Sequence, residues 1–229
     1  MGTETASAPE PSGLGLVAVL STTAGAADAI CFLALGGLFV AHVTGDIVIA
    51  IAHYVAGGGA RPGPLLAVPV FVSALCASVL IAGVADRVGA SPRRVLLLLQ
   101  AALLAACLAL AVEFGSFAHS DEPMAVLVGM IAVAAMAVQS AAVRLTLPNT
   151  PATAVLTMNV VHLSLDLTTR ALTRGAHGDR SRDRLTVVCV AGFVSGCVAG
   201  TALETRFGLD ALALPVALSA LAVPLAARA

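Results

Sequence analysis

Residues 36–54 read GGLFVAHVTGDIVIAIAHY, a segment too apolar for a loop in water and too interrupted for a continuous membrane-spanning helix. Two glycines open the segment, Thr44-Gly45-Asp46 lies at its centre, and a short apolar run follows. A weaker copy stands at residues 147–167, where prolines and Thr157-Met158-Asn159 interrupt a second apolar stretch. These two segments predict broken helices that lie inside a membrane protein.

The composition also places the chain in a membrane. Its 229 residues are 59% hydrophobic and 11% charged, and the mean hydropathy is +1.00. A soluble domain carries about 25% charged residues, and a water-soluble fold of this size could not bury so much apolar surface. We therefore expect an integral membrane protein whose first partner is the lipid bilayer.

The apolar runs give the number of spanning helices. A helix that crosses a bilayer needs about 20 mostly apolar residues. Six runs meet this requirement, namely Leu14–Leu35, Leu65–Ala85, Arg94–Val112, Met124–Val143, Leu185–Leu203 and Leu209–Ala226. The sequence thus predicts an all-α membrane protein with a disordered tail at residues 1–13 and one transmembrane domain at residues 14–229.

The positions of the arginines separate two topologies. Short arginine-rich loops stay on the cytoplasmic side of a membrane, and such loops lie at Asp86–Arg94 and Arg170–Arg184. Both are cytoplasmic if each broken segment enters and leaves from one side. This gives six transmembrane helices, two re-entrant segments, and N- and C-termini in the cytoplasm. Eight full crossings would break the charge rule, and this alternative stays open.

The two halves of the chain resemble each other in order. Thr44-Gly45-Asp46 matches Thr157-Met158-Asn159, Phe71-Val72-Ser73-Ala74 matches Phe193-Val194-Ser195-Gly196, and Asp86-Arg87-Val88-Gly89 matches Thr205-Arg206-Phe207-Gly208. We predict two three-helix repeats, at residues 14–113 and 124–227. An odd number of crossings inverts the second repeat relative to the first, which is the plan of many secondary transporters.

Two polar residues in the middle of apolar runs are candidate binding residues. Asp28 lies near the middle of the first helix, where an ionised carboxylate costs at least about 3 kcal/mol. It should therefore face a cavity or a partner, the alternative being a hydrogen bond to a neighbouring helix or a neutral acid. Gln139 holds roughly the corresponding place in the fourth helix, and it could equally bridge helices by hydrogen bonds.

The first broken segment supplies three more candidates. Thr44 is a plausible N-cap for a short helix at Ile47–Val55, whose free N–H groups would attract an anionic group. Gly45 permits unusual dihedral angles and close approach. Asp46 either joins a binding site or satisfies the same N–H groups itself.

The second broken segment supplies two. Thr153 or Thr157 could cap the helix that follows the prolines, and we count Thr157 as a site residue. Asn159 stands at the position of Asp46 and replaces its carboxylate by an uncharged amide.

Other classes of function lack support in the sequence. The chain has no recognisable enzyme motif, and its five cysteines lie in apolar runs without ligand spacing to histidine, so we expect no enzyme, no metal and no cofactor. It has no basic patch with interleaved aromatic residues, so we expect no nucleic acid partner. The small-residue face Gly192–Gly196–Gly200 serves either a homodimer or packing within one chain.

Four motifs together resemble the YoaK family of bacterial membrane proteins, a family of unknown function. They are Ala24-Gly25-x-x-Asp28-Ala29-x-x-Phe32-Leu33, Phe39-Val40-Ala41-x-x-Thr44-Gly45-Asp46, and the stretches at residues 135–144 and 153–159. The resemblance implies a six-helix inner-membrane protein and supplies no substrate. The chain departs from the family pattern at Asp46, where asparagine is usual, and at Met158, where glycine is usual.

These observations lead to one hypothesis and one alternative. The hypothesis is a secondary transporter or permease of an unknown small molecule or ion, with a midplane site between the two broken helices. Its site residues would be Asp28, Thr44, Gly45, Asp46, Gln139, Thr157 and Asn159. The alternative is a structural or regulatory membrane protein in which these residues only join the broken segments. A water-accessible cavity that touches both segments would favour the transporter.

Overall fold

The computed structural model describes residues 11–114, 117, 119–147, 150–153, 156–172 and 180–227. Every regular element within these ranges is helical, which confirms the predicted all-α membrane protein. The helices are α1 (Pro11–Ala34), α2 (Val43–Val55), α3 (Pro62–Arg87), α4 (Pro92–Phe114), α5 (Pro123–Thr146), α6 (Leu156–Leu172), α7 (Arg180–Phe207) and α8 (Ala213–Ala226), with a 3₁₀ turn at Gly208–Leu212 before α8. Residues 1–10 of the predicted disordered tail lie outside the described residues, and residues 11–13 belong to α1 and not to a tail.

Five segments of the described chain are long and apolar enough to cross a membrane. Four of them coincide with α1, α3, α4 and α5, and the fifth is the 45-residue segment Arg182–Ala226. This last segment contains two helices. Gly208 ends α7 in the left-handed conformation, with φ of +56°, which is the usual way for glycine to terminate a helix.

One end of the helix bundle carries most of the described arginines. We call it the basic face, and its arginines include Arg87, Arg93, Arg94 and Arg144. Arg93, at the start of α4, donates to the carbonyl oxygens of Thr146 and Ala226, the last residues of α5 and α8, at 3.0 and 3.4 Å. Leu20 from the first half of α1 and Ala82 near the end of α3 join one apolar cluster there. Helices α1 and α4 therefore begin at this face, and α3, α5 and α8 end at it.

The opposite end carries acidic residues, and we call it the acidic face. They are Glu113, Asp121, Glu122, Glu204 and Asp210. Leu35 after α1, Ala111 near the end of α4 and Leu209 after α7 share one apolar cluster. Ala67 and Ala125, from the first turns of α3 and α5, belong to the same cluster.

Helices α1 and α7 pack side by side through glycine. An added Cβ on Gly192 would lie 3.1 Å from the carbonyl oxygen of Ala18, and one on Gly200 would lie 2.8 Å from that of Ala26. An added Cβ on Gly196 would collide with the backbone of Thr22. The two backbones are thus in direct contact, and α7 runs parallel to α1. The small-residue face therefore serves packing within one chain, and the homodimer remains a prediction.

The helix directions give six crossings. Helices α1, α4 and α7 run from the basic to the acidic face, and α3, α5 and α8 run back. Helix α2 connects two ends at the acidic face and packs on α3, whereas α6 connects two ends at the basic face and packs on α7. Both short helices are therefore re-entrant, as the arginine distribution predicts.

Part of the packing of the first half has a counterpart in the second. Helix α1 packs against α7 and α8, and α5 packs against α3 and α4. Exchange of α1 with α5, α2 with α6, α3 with α7 and α4 with α8 converts each of these pairs into another observed pair. The contact between α4 and α8 is unchanged by the exchange.

Candidate functional site

Asp28 is the centre of a buried polar cluster at the first break. The residue is buried. Oδ1 accepts hydrogen bonds from the backbone N–H groups of Val40 and Ala41 at 2.8 and 2.7 Å, and Oδ2 lies 2.6 Å from Nδ1 of His42. We call these four residues the Asp28 cluster. Asp28 thus binds the broken segment of its own half, rather than a neighbouring helix.

Two glycines allow the chain to reach Asp28 after α1 ends. Gly36 and Gly37 have φ of +66° and +89°, a conformation that side chains other than glycine rarely adopt. The chain reverses there, and residues 38–42 run back beside α1. They reach the level of Asp28, which lies six residues, or about 9 Å, before the last residue of α1. This turn is what makes α2 start inside the bundle.

His42 extends the Asp28 cluster to the second half of the chain. Its ring packs edge-on against Phe193 of α7 at a centroid distance of 5.1 Å, and against Phe39 at 6.3 Å. The His42 side chain is 32% exposed, whereas that of Asp28 is 4% exposed. His42 therefore joins α1, the first break and α7, and it is the accessible side of this polar cluster.

The Thr-Gly-Asp motif has a different role from the predicted one. Helix α2 begins at Val43 with His42 as its N-cap and no capping side chain, so the prediction that Thr44 caps this helix is wrong. Thr44 is exposed on the first turn. Gly45 is helical and allows close approach, since an added Cβ would lie 3.1 Å from the ring of Phe39.

Asp46 is fully buried and also binds the break. Its Oδ1 accepts a hydrogen bond from the backbone N–H of Phe39 at 3.0 Å, and its Oδ2 is buried without a hydrogen-bond partner among the described residues. Asp46 therefore fixes the unwound residues before α2 and does not cap the helix itself.

Gln139 has the same role at the second break. Its Nε2 donates to the carbonyl oxygen of Leu20 at 3.0 Å and to the hydroxyl of Thr153 at 3.2 Å. Its Oε1 accepts from Nε2 of Gln100 at 2.7 Å. Both glutamines are fully buried. Gln100 was not anticipated, although it is a polar residue in the middle of an apolar run, as Gln139 is.

Asn159 fixes the second broken segment to α7. Its Nδ2 donates to the carbonyl oxygen of Ala152 at 2.8 Å and to Sγ of Cys189 at 3.3 Å. Ser21 of α1 donates to the same sulfur at 3.3 Å. Thr157 is exposed and does not join this group. The predicted chain break at Pro148 and Asn149 lies outside the described residues.

The predicted residues do not form one midplane site. Asp28, Gly45 and Asp46 lie at the first break, Gln139 and Asn159 lie at the second, and Thr44 and Thr157 are exposed. Leu20 and Asp28 are eight residues apart on α1, which places the two polar clusters about 12 Å apart along the helix axis. Within the described part of the chain, no hydrogen bond or ion pair links the clusters. In this structure the predicted residues therefore form two separate clusters, and a single site between the broken helices stays a prediction.

A cavity of about 520 Å³ lies between α3, α5 and residues 150–153. Apolar side chains form most of its wall, and the exposed Cys76 contributes from α3. Its polar lining residues are Ser140, Arg144, Thr150 and Thr153. The cavity touches the second broken segment and, through Thr153, the hydrogen bonds of Gln139. It does not include the first segment, so it is not the cavity in contact with both segments that would favour the transporter.

The sequence comparisons identify a family whose function is unknown. A family model described as "Protein of unknown function (DUF1275)" matches residues 16–225, from the first turns of α1 to the end of α8. No curated protein and no solved structure matches the chain.

Proposed function

The chain belongs to the DUF1275 family, described only as a protein of unknown function, and on that premise we propose that it is a secondary transporter or permease for a small molecule or ion. The resemblance to the YoaK family supports a bacterial inner membrane as its location. The arginines of the basic face support a cytoplasmic position for that face and for both termini.

The repeated packing supports an inverted-repeat transporter. Helix α1 runs from the basic to the acidic face, and its counterpart α5 runs the other way. The same reversal relates α3 to α7 and α4 to α8. Transporters of this plan change access by movement of one repeat against the other.

The observation that carries the proposal is a difference between two equivalent clefts. The cleft between α1 and α7 is closed by the glycine contact and by His42, whose ring lies against Phe193. The equivalent cleft between α5 and α3 holds the cavity of about 520 Å³. A cavity in one cleft and close packing in the other is the difference that one state of an alternating-access cycle would produce, and this difference supports the proposal.

The repeat match explains why the two clefts differ. Phe71-Val72-Ser73-Ala74 matches Phe193-Val194-Ser195-Gly196. In this register the glycines at 192, 196 and 200 correspond to Val70, Ala74 and Ser78 of α3. The glycines let α7 touch α1, whereas the corresponding positions of α3 carry side chains, and the cavity is lined on α3 by their neighbours Leu75, Cys76 and Val79.

The Asp28–His42 contact would act as the latch of the closed cleft. Opening the acidic side requires α7 to leave α1, which removes Phe193 from His42 and exposes the Asp28 cluster. If transport is coupled to protons, Asp28 is the first candidate carrier, because it is the buried carboxylate in this latch.

One observation favours the alternative, a structural or regulatory protein without transport. Asp28 already accepts two backbone hydrogen bonds and contacts Nδ1 of His42, all within its own half of the chain, so its burial needs no ligand. The two functions differ in one respect that can be measured. A transporter populates a second state, whereas a structural protein stays in the packed one.

Two native cysteines report on the two clefts. Cys76 is exposed in the open cleft, about 16 Å from the end of α3 by helical rise, and Cys197 is only partly exposed in the closed cleft. A membrane-impermeant maleimide should label Cys76 in inside-out vesicles and not in right-side-out vesicles. In an Asp28→Asn variant, labelling of Cys197 from the acidic face should rise while labelling of Cys76 falls.

Glu113→Gln, which changes an exposed carboxylate on the acidic face, is the matched control and should leave both rates unchanged. A reciprocal change in Asp28→Asn alone supports alternating access. If both cysteines label faster in Asp28→Asn, or neither rate changes, the protein does not exchange two states through this latch and the structural alternative holds.

A further inference from the structure

We infer that the cavity between α3 and α5 binds a small monocarboxylate with an apolar body, and that such a molecule is the substrate class of the proposed transporter. The substrate assignment rests on the proposed function, whereas the binding itself does not. The cavity volume of about 520 Å³ lies within the range of about 300–1,000 Å³ that ordinary small-molecule sites have.

The charge of the cavity selects an anion. Among the described residues that line the cavity, Arg144, near the end of α5, and the thiol of Cys76 are the ionisable groups. Within the described part of the chain, no carboxylate lies within ion-pair distance of Arg144. An arginine without a partner beside an apolar wall matches a carboxylate, which its planar guanidinium can bind through two hydrogen bonds.

Two threonine hydroxyl groups in the cavity also favour an anionic ligand. Thr150 and Thr153 both line it. The Thr153 oxygen accepts from Gln139, and no acceptor for the Thr153 hydroxyl hydrogen is found among the described residues, so we expect it to donate to a ligand. Arg144 lies five residues nearer the basic end of α5 than Gln139, about 8 Å by helical rise. Hydrogen-bond donors therefore line the cavity from Arg144 to Thr153, beside Gln139.

The remaining wall selects an apolar body. Leu75, Cys76 and Val79 of α3 face Ala141 and Val143 of α5 across the cavity. A free inorganic anion would leave this surface in contact with water only. The acyl chain of a lipid would cover it but would place carbon against the Thr153 hydroxyl. A short carboxylate with a hydrocarbon tail satisfies both parts of the wall.

Binding can be tested with hexanoate as the probe. The full-length protein in nanodiscs of phosphatidylcholine should bind hexanoate in calorimetry, bind hexanol more weakly, and not bind hexylammonium. Arg144→Gln should weaken hexanoate binding by about tenfold, the loss expected for one charge-assisted hydrogen-bonded pair, and leave hexanol binding unchanged. Arg94→Gln, an exposed arginine on the same face outside the cavity, is the control and should bind hexanoate normally.

The native thiol of Cys76 can be used to show that hexanoate binds in this cavity. Hexanoate should slow maleimide labelling of Cys76, because that side chain lines the cavity. Cys76→Phe should block binding by filling the cavity, whereas Val72→Phe, one turn away on the same face of α3, should not.

Three results would overturn the assignment: equal binding of hexanoate to the wild type and Arg144→Gln, equal binding of hexanoate and hexylammonium, and protection of Cys76 by phosphatidylglycerol but not by hexanoate. The last would identify an anionic-lipid site. Hexanoate binding without the reciprocal labelling change in Asp28→Asn would retain the ligand class and reject transport, so the two proposals fail separately.

Discussion

Asp28 and His42 lie fourteen residues apart in the chain, and their side chains meet at 2.6 Å across the first helix break. The same carboxylate accepts two backbone N–H groups. A buried carboxylate in a membrane is expensive unless it is paired, and here the unwound chain supplies the partners. Asp28 is therefore the residue that allows the break to exist.

The loss of stability on replacement of Asp28 or His42 should increase with the number of hydrogen bonds lost. Asp28→Ala leaves the N–H groups of Val40 and Ala41 buried without an acceptor, at a cost of about 1–3 kcal/mol each. Asp28→Asn keeps one acceptor oxygen and should be destabilised less. His42→Ala removes one partner at a partly exposed position and should have the smallest effect. Thermal unfolding in detergent should rank the three in this order, and a larger loss for His42→Ala than for Asp28→Ala would contradict it.

Much of the fold could be predicted from sequence, because the signals are local. Apolar length gives the spans, and arginine position gives the re-entrant geometry. Asp28 and Gln139 stand out in the sequence as polar residues inside apolar runs, and the structure places each beside a broken segment, while their role as binding residues stays a prediction. Thr44 could not be placed correctly, because the cap of α2 depends on where His42 is held by Asp28, a contact between distant residues.

The helices that pack together at each cleft could not be predicted from local sequence either. The glycine spacing on α7 is visible in sequence, but the identity of its partner helix is not. Gln100 belongs to the second cluster only because α4 packs against α5. The separation of the two polar clusters could not be predicted either, since Asp28 bonds to the first break, whereas Gln139 and Cys189 bond to Leu20 and Ser21 on another part of α1.

The α1–α7 contact should be sensitive to a single methyl group. Gly196→Ala would place a Cβ against the Thr22 backbone, and backbone atoms cannot move aside cheaply. We expect a loss of about 1–3 kcal/mol, as for other overpacked sites. Gly83→Ala, in the interior of α3 with open space around an added Cβ, is the matched control and should be neutral or slightly stabilising. Equal unfolding temperatures for the two variants would show that the glycines do not hold α1 against α7.

The two glutamines should behave as a coupled pair. Gln139→Leu strands the amide of Gln100 and the hydroxyl of Thr153 in the core, and we expect a cost of about 1–3 kcal/mol. The double variant Gln100→Leu, Gln139→Leu removes both amides and should cost less than the sum of the single changes. A double-mutant cycle of thermal unfolding measures the coupling. Additive effects would mean that the 2.7 Å bond between the amides contributes nothing.

Arg93 should stabilise the basic face more than its neighbour does. It donates to the last carbonyl groups of α5 and α8, where a cation contributes about 0.3–1 kcal/mol per helix end. Arg93→Gln should therefore lower the unfolding temperature, and Arg94→Gln, which is exposed, should not. If the two variants unfold together, the arginines act only through the total charge of the face.

The six-crossing topology should be visible from the two sides of the membrane. Ala60, between α2 and α3, lies beside Arg61, whose guanidinium donates to Ser120 and pairs with Asp121 at 3.7 Å on the acidic face. Arg182 lies at the exposed start of α7, on the basic face. In a Cys76→Ser background, an impermeant maleimide should label Ala60→Cys in right-side-out vesicles and Arg182→Cys in inside-out vesicles. Eight full crossings would place both positions on one side. Labelling of both variants in the same vesicles would therefore rule out the re-entrant segments, and with them the proposed inverted repeats and opposed clefts.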